Sequence, residues 1–560
     1  TTPGYGPRHM PLAAGKPGTA PPAPPGHPTG AAEPGRVGRG WAALRLDRFE
    51  RGVLGALAAL SLWVLAVEVW QVVAHGRVWT GSDGVYLADQ LQYVAWVRSA
   101  AHHGLVSNLF VLRPTPADYL QPAIAVSGAL TALGVAPWLA LLVWKPVAVI
   151  GCFYAVRSFG RALLPDPGPR RAALVLGLFF GSFTVVYGSF GAIGDLLPGF
   201  LSWGYVFGLI GMAAVAGALV LYARAEGQGG RVRLGPGLLG ALAGLVHPWH
   251  AELLIAIVLG SELVLAGRRS WSLGRLRLPA LTVVIAGLPL LYYAVLGRVD
   301  ESWRLARVAS KHSFPLWWVA LALAPLLLAA LPAYRQRPRR FLAAAARVWP
   351  PAALVVYVVS ATALGATPLH AFQGVTVPLA VLAAEALPKM RPGWRRRRRL
   401  VMAAAIAAFT IPVTLYEMAS ARTLVAPRAG TARFIAPDEQ RALSYLAQDP
   451  QTGGVITRSY LGLLVPAATG RRTFVGNCLW SEPGCDWRLA QVKALFTGGM
   501  SAPAARAFLT GEPARFLLAD CRPSADLVRL LEGLIASVHR FGCATVYVLR
   551  VDFRRIAHRV

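Results

Sequence analysis

Apolar runs of span length recur through the first three quarters of the chain, divided by short polar breaks, and stop near residue 418. They cover about 53–74, 136–157, 172–192, 203–222, 234–247, 251–267, 278–297, 316–333, 349–366, 372–388 and 400–418, which predicts eleven membrane spans. The run 120–135 is shorter and follows a polar loop, so it reads as an interfacial or re-entrant segment. Residues 88–103 (ADQLQYVAWVRSAAHH) have the pattern of an amphipathic helix closed by Gly104, lying at the membrane surface. The first 35 residues are rich in Pro, Gly and Ala, hold no signal-peptide pattern, and are expected to form a disordered tail.

Beyond 419 the pattern becomes that of a soluble α/β domain. GGVITR (453–458), RRTFVG (471–476), ARFLLAD (514–520) and ATVYVLRV (544–551) are β-branched or aromatic runs of strand length. Helical spacing occupies 437–448, 486–497, 502–510 and 524–539, the last through Leu527, Leu530, Leu531, Leu534 and Ile535. The alternation predicts a small, mostly parallel sheet.

The composition agrees: 55% of the 560 residues are hydrophobic and 15% charged, well below the quarter usual in soluble proteins. The net charge of +30 would suggest nucleic acid, but its distribution suggests topology instead. With the cluster Arg36 to Arg51 taken as cytoplasmic, that side collects 28 Lys and Arg up to residue 418, including the run Arg395 to Arg399, and the opposite side collects 7. The bias predicts a cytoplasmic amino terminus and an extracytoplasmic carboxy-terminal domain in a plasma membrane, with anionic lipid and not nucleic acid as the partner of the basic residues. The chain then divides into a tail 1–35, a membrane domain 36–418 with an outer loop at 75–120, and an outer domain 419–560.

Four of the five cysteines, Cys478, Cys485, Cys521 and Cys543, fall in the outer domain, as an oxidising compartment would permit. Of three possible pairings, Cys478 with Cys485 and Cys521 with Cys543 is preferred, because the second pair would flank one strand end and the next strand start. A four-thiolate zinc site is the alternative and lacks C-x-x-C spacing.

Unusual polar residues gather on the outer side: Asp83, Asp89, Gln90 and Tyr93 in the first loop, Asp195, then His247, His250 and Glu252, then Arg304, Arg307, Lys311 and His312, and finally His370 and Gln373. Asp89 suits either a helix N-cap or a general base. HPWH-x-E (247–252) lacks a zincin pattern and suits a polar helix cap or an anionic phosphate better than a metal. The basic patch at Arg304 to His312 departs from the charge bias and would suit a lipid-linked phosphate. Lys145 is a costly charge within a span, with Glu68 as a candidate partner.

The arrangement resembles the GT-C superfamily of integral membrane glycosyltransferases, in which a first outer loop carries an essential Asp or Asp-Glu before aromatic residues on a surface helix. Asp89-Gln90-Leu91-Gln92-Tyr93 is similar to that motif, with Gln90 where many members have Glu, and Asp83 is the reserve. The resemblance implies a polytopic α-helical fold and a hexosyl- or pentosyltransferase. Its donor would be a sugar on a polyprenyl phosphate, its acceptor an envelope glycan, lipid or protein, and its base Asp89. His247, His250, Glu252, Arg304, Lys311, His312, Lys145 and Tyr93 are the expected donor and substrate contacts, assigned by side and charge. Some members use a divalent metal, and no dense carboxylate set here demands one. The competing classes are a transporter or flippase, which Lys145 would suit, and a non-catalytic envelope assembly protein.

Overall fold

The computed structural model describes residues 45–181, 196–267, 273–310, 315–361, 368–386 and 395–550. The tail 1–35, Asp195, Lys311 and His312 lie outside them. Each predicted apolar run carries a helix. Among the described residues, eight helices are long and apolar enough to cross a membrane, and a pair bent by 46°, α1 (Arg48–Ser61) and α2 (Trp63–His75), makes a ninth. The runs at 172–192 and 234–247 hold the 13-residue helices α7 (Pro167–Phe179) and α9 (Leu234–Val246). Each is about 20 Å long, short of the hydrocarbon core. In the second case the cause is Pro248, which forces His247 into extended backbone and divides one apolar stretch into two helices.

In chain order, α3 (Leu87–His103) fills the first long loop, and the short α4 (Pro122–Ala132) follows, capped by the Gln121 side chain on Ile124 N–H at 2.7 Å. Helices α5 (Pro137–Leu142) and α6 (Trp144–Leu163) together make one span. After α7 come α8 (Val206–Ala225), α9, α10 (Pro248–Ala266), α11 (Leu273–Val299), the short α12 (Glu301–Ala309), α13 (Leu316–Tyr334), α14 (Phe341–Val359), α15 (Thr376–Ala386) and α16 (Arg395–Leu424). The span Leu369–Ala386 is 89% buried and Val206–Ala225 72%, against 17% for Leu400–Leu424, so α15 and α8 are central and α16 is peripheral.

Two ion-pair groups tie the spans together. Arg157 and Arg161 converge on Glu50 at 3.0 and 2.6 Å, and Arg347 bonds Glu385 and the Ala333 carbonyl at the end of α13. Some of the arginines that set the charge bias therefore also have packing partners.

After α16 the chain forms a four-stranded sheet in the order β3-β4-β6-β5. Strand β3 (Gly454–Thr457) is parallel to β4 (Ala514–Ala519); β6 (Ala544–Leu549) pairs antiparallel with β4 and with β5 (Ile535–Phe541). The sheet thus has one parallel pair and is not mostly parallel. The helix expected at 524–539 is absent: one turn at Leu527–Leu530 is followed by Gly533 at φ +84° and then by β5. The helical spacing of its leucines lost to hairpin pairing with β6 across a turn at Gly542. RRTFVG forms only the isolated bridge of Thr473 with Val455. Helices α17 (Pro437–Gln448), α19 (Cys485–Thr497) and α20 (Ala502–Gly511) lie where helical spacing placed them, and α18 (Ser459–Thr469) was not foreseen.

Residues 49–560 form one compact unit. Strand β1 (Val78–Trp79), just past the first span, pairs antiparallel with β2 (Phe434–Ile435). Leu112 of the first loop enters the core built from Ile456, Phe474, Phe496 and Leu517, and Gly454 leaves the space its side chain fills. Both chosen disulfides are formed, Cys478–Cys485 and Cys521–Cys543, and Cys152 is free and buried.

Candidate functional site

Helix α3 organises the candidate site. It starts after Tyr86 and ends at Gly104, whose φ of +72° lets its N–H close on Ala100 O. It does not lie on a surface as an amphipathic helix. Gln90, Gln92, Trp96 and Ser99 are all buried, because elements distant in sequence cover its polar side. Gln90 donates to Gly204 O, Gln92 accepts from Asn477 at 2.8 Å, and Arg98 donates to Ala467 O at 2.9 Å.

Asp89 is in the first turn and is not the N-cap, which is Tyr86. It is half-buried, and no partner pairs its carboxylate. Burial pushes its carboxyl up to about 6. Asp89, Tyr93 and Trp96 fall at i, i+4 and i+7, one face of the helix. Tyr93 meets Phe207 edge-on at 4.8 Å. Trp96 meets Tyr119 and Trp480 at 5.0 and 5.3 Å, and Trp303 lies 4.3 Å from Tyr119 and 4.8 Å from Trp480. This places Arg304, the neighbour of Trp303, toward the Trp96 end of α3, where it is exposed and 3.5 Å from Glu301.

The histidines gather at the other end of α3. Tyr86 packs on Tyr205 at 5.8 Å, and the Tyr205 hydroxyl is 3.2 Å from His247 Nε2. His247 Nδ1 is 2.9 Å from His250 Nδ1, and His370 packs 4.7 Å from His247 while bonding Gln373 at 3.0 Å. The imidazole pair shares one proton between its Nδ1 atoms, so one ring donates and the other accepts. Either order leaves the fully buried His250 Nε2 without a partner, and Gln373 Oε1 is likewise unpaired. Gly211 opposes the His250 ring where a Cβ would lie 2.6 Å from Nδ1. Glu252 lies beside Ser360.

Asp83 and Lys145 form a buried ion pair at 2.6 Å. The expected partner of Lys145, Glu68, pairs instead with Arg433, which also donates to Ser82 O at 3.1 Å. The correction arises because Arg433 approaches from the segment leading into β2, 365 residues away from Glu68. Burial raises Asp83 and the Lys145 ammonium opposes the rise. Gly84 and Gly204, with φ of +97° and +130°, let this loop and the start of α8 touch backbone to backbone.

Asp89 and the histidines therefore flank Tyr86 and Tyr205, whereas Arg304 belongs to the aromatic group and Asp83 and Lys145 to the ion-pair network. Sequence reasoning did not select Tyr205, His370, Gln373, Trp480 or Arg433. His370 and Gln373, a polar i, i+3 pair in an apolar run, were visible on the right side, but Arg433 carried no local signal. Asp118, raised by burial and by the adjacent Asp300 carboxylate, was likewise unselected. Among the described residues, the one grouping of three potential metal ligands is Asp438, Cys521 and Cys543, and its two cysteines are bonded to each other.

No protein-family model matches the chain, and no characterised protein matches it by sequence. Solved structures match it by fold. The oligosaccharyltransferase of Archaeoglobus fulgidus in its apo form aligns with a TM-score of 0.54 at 13% identity, covering 90% of this chain and 75% of that one. ArnT from Cupriavidus metallidurans bound to undecaprenyl phosphate aligns with a TM-score of 0.51 at 13% identity, covering 90% and 98%. The archaeal oligosaccharyltransferase AglB with an inhibitory peptide and dolichol-phosphate aligns at 0.51 and 13%, covering 85% and 69%. The fold is that of the GT-C membrane glycosyltransferases.

Proposed function

We propose that this GT-C-fold protein is a membrane glycosyltransferase that moves a hexosyl or pentosyl group from a polyprenyl phosphate to a cell-envelope acceptor on the outer face of the plasma membrane, with Asp89 as general base. The carrying observation is Asp89 itself: a half-buried carboxylate without a partner, raised to about 6, at the start of the helix in the first loop. A base with a pKa near the working pH is both ionised and able to accept a proton. The phosphate lipids in the structures of similar fold, dolichol-phosphate and undecaprenyl phosphate, support the donor class.

In the proposed reaction the acceptor hydroxyl attacks the anomeric carbon while Asp89 takes its proton. The bond from that carbon to the phosphate oxygen breaks, and the electron pair leaves with the phosphate, inverting the centre. The unpaired Nε2 of His250 supports a ligand contact at the buried end of the site, and Arg304 offers an exposed guanidinium at the other end. Asp83 and Lys145 neutralise each other and hold the loop before Asp89, so we assign them positioning roles. That pairing also removes the observation that suited a transporter.

The test is Asp89→Asn in membranes supplied with radiolabelled polyprenyl-phosphate sugar. Loss of transfer by about 100-fold or more is expected for removal of a general base. Transfer at the wild-type rate would exclude the role.

A further inference from the structure

The carboxyl ends of the parallel strands β3 and β4 carry a second polar cluster, in the region after α16. Ligands of open α/β sheets bind beyond the carboxyl ends of parallel strands. Here Arg458 follows β3 and begins α18, and Asp520 follows β4. Asp520 is 2% exposed. Its Oδ1 lies 3.1 Å from Arg458 Nε and accepts the Arg522 N–H at 3.3 Å, whereas its Oδ2 is buried without any hydrogen-bond partner. Tyr460 donates to Glu439 at 2.6 Å and also faces Asp520, so two carboxylates and a phenol converge from three elements. No side chain caps α18, whose opening residues Ser459 and Tyr460 are half-buried beside the exposed Arg522 and Pro523.

The charges select the ligand. An anion at the α18 terminus would face Asp520 and Glu439. A cation at Asp520 Oδ2 would face the Arg458 guanidinium, with Arg522 behind it over the Tyr460 ring at 5.1 Å. A neutral hydroxyl meets neither repulsion, since it donates to Oδ2 and accepts from the uncapped amides of α18. We propose that this edge is a non-catalytic binding site for a neutral saccharide, which docks acceptor glycan on the carboxy-terminal region. The choice of a glycan rests on the transferase reading; the polarity of the site does not.

Saturation-transfer NMR on the full chain in micelles, with linear manno-, gluco- and arabinotetraose as probes, tests the site. At least one probe should receive saturation from the wild type. The signal should fall about tenfold in Asp520→Asn and in Tyr460→Phe, the cost of one hydrogen bond involving a charged group. Both variants should melt as the wild type does, and Asp89→Asn, the catalytic variant, should bind unchanged. Saturation of no probe, or equal saturation in Asp520→Asn and Tyr460→Phe, would overturn the site. Active Asp89→Asn would instead overturn the transferase base and leave the site standing.

Discussion

Asp89 differs from the other loop acids in its lack of a partner. Asp83 is paired with Lys145, Asp300 caps α12 through Ser302 N–H at 2.6 Å, and Asp118 faces Asp300. With a carboxyl near 6, transfer activity should show an acid limb near pH 6, because only the carboxylate accepts a proton. A pH–rate profile with its limb near 4 would mean that the acid is solvated. The same shift has a stability consequence of definite sign. The folded state holds the proton more tightly than the unfolded chain, so ionising Asp89 costs stability as pH rises from about 4 to about 6. Asp89→Asn should therefore melt higher than the wild type above pH 6, with the difference fading toward pH 4. Thermal scans across that window would reveal it, and a variant that melts lower at pH 7.5 would contradict it.

At the scale of elements, α3 was legible from its start and its glycine stop, but its setting was not. The helix reads as amphipathic, and its polar residues turn out to be the grip of other elements: Gly204 on Gln90, Asn477 on Gln92 and Ala467 on Arg98. The loop before it is strapped by β1–β2 pairing and by the four charges of Glu68, Asp83, Lys145 and Arg433. Burying such a set is tolerable only while the charges remain paired. Arg433→Met should destabilise the protein by about 3–5 kcal/mol, since it strands the Glu68 charge, whereas Arg433→Met with Glu68→Leu should recover most of the loss. Chemical denaturation of the three proteins in micelles measures this; a double variant no more stable than the single one would show that the pair is not a closed unit.

At the scale of the whole molecule, the region after α16 is joined to the bundle by β1–β2, by Leu112 in its core and by Trp480 among the loop aromatics. Its disulfide Cys521–Cys543 closes a 22-residue separation, which corresponds to about 3 kcal/mol of loop-closure entropy. If this region lies outside the membrane, a membrane-impermeant maleimide should label Cys543 in intact cells after mild reduction, and not before it. Labelling only after cell lysis would reverse the topology. The sequence by itself determined the membrane class, the placement of the helices, the α/β character of the end and the cysteine pairing. These depend on composition, periodicity and short spacings, which act within a few turns of chain. Tertiary structure alone decided that Lys145 meets Asp83 while Glu68 meets Arg433, that three histidines from two segments share Tyr205, and that 535–541 is a strand. Each of these depends on partners brought from far along the chain, where charge neutralisation, ring packing and ladder hydrogen bonds outweigh any local preference.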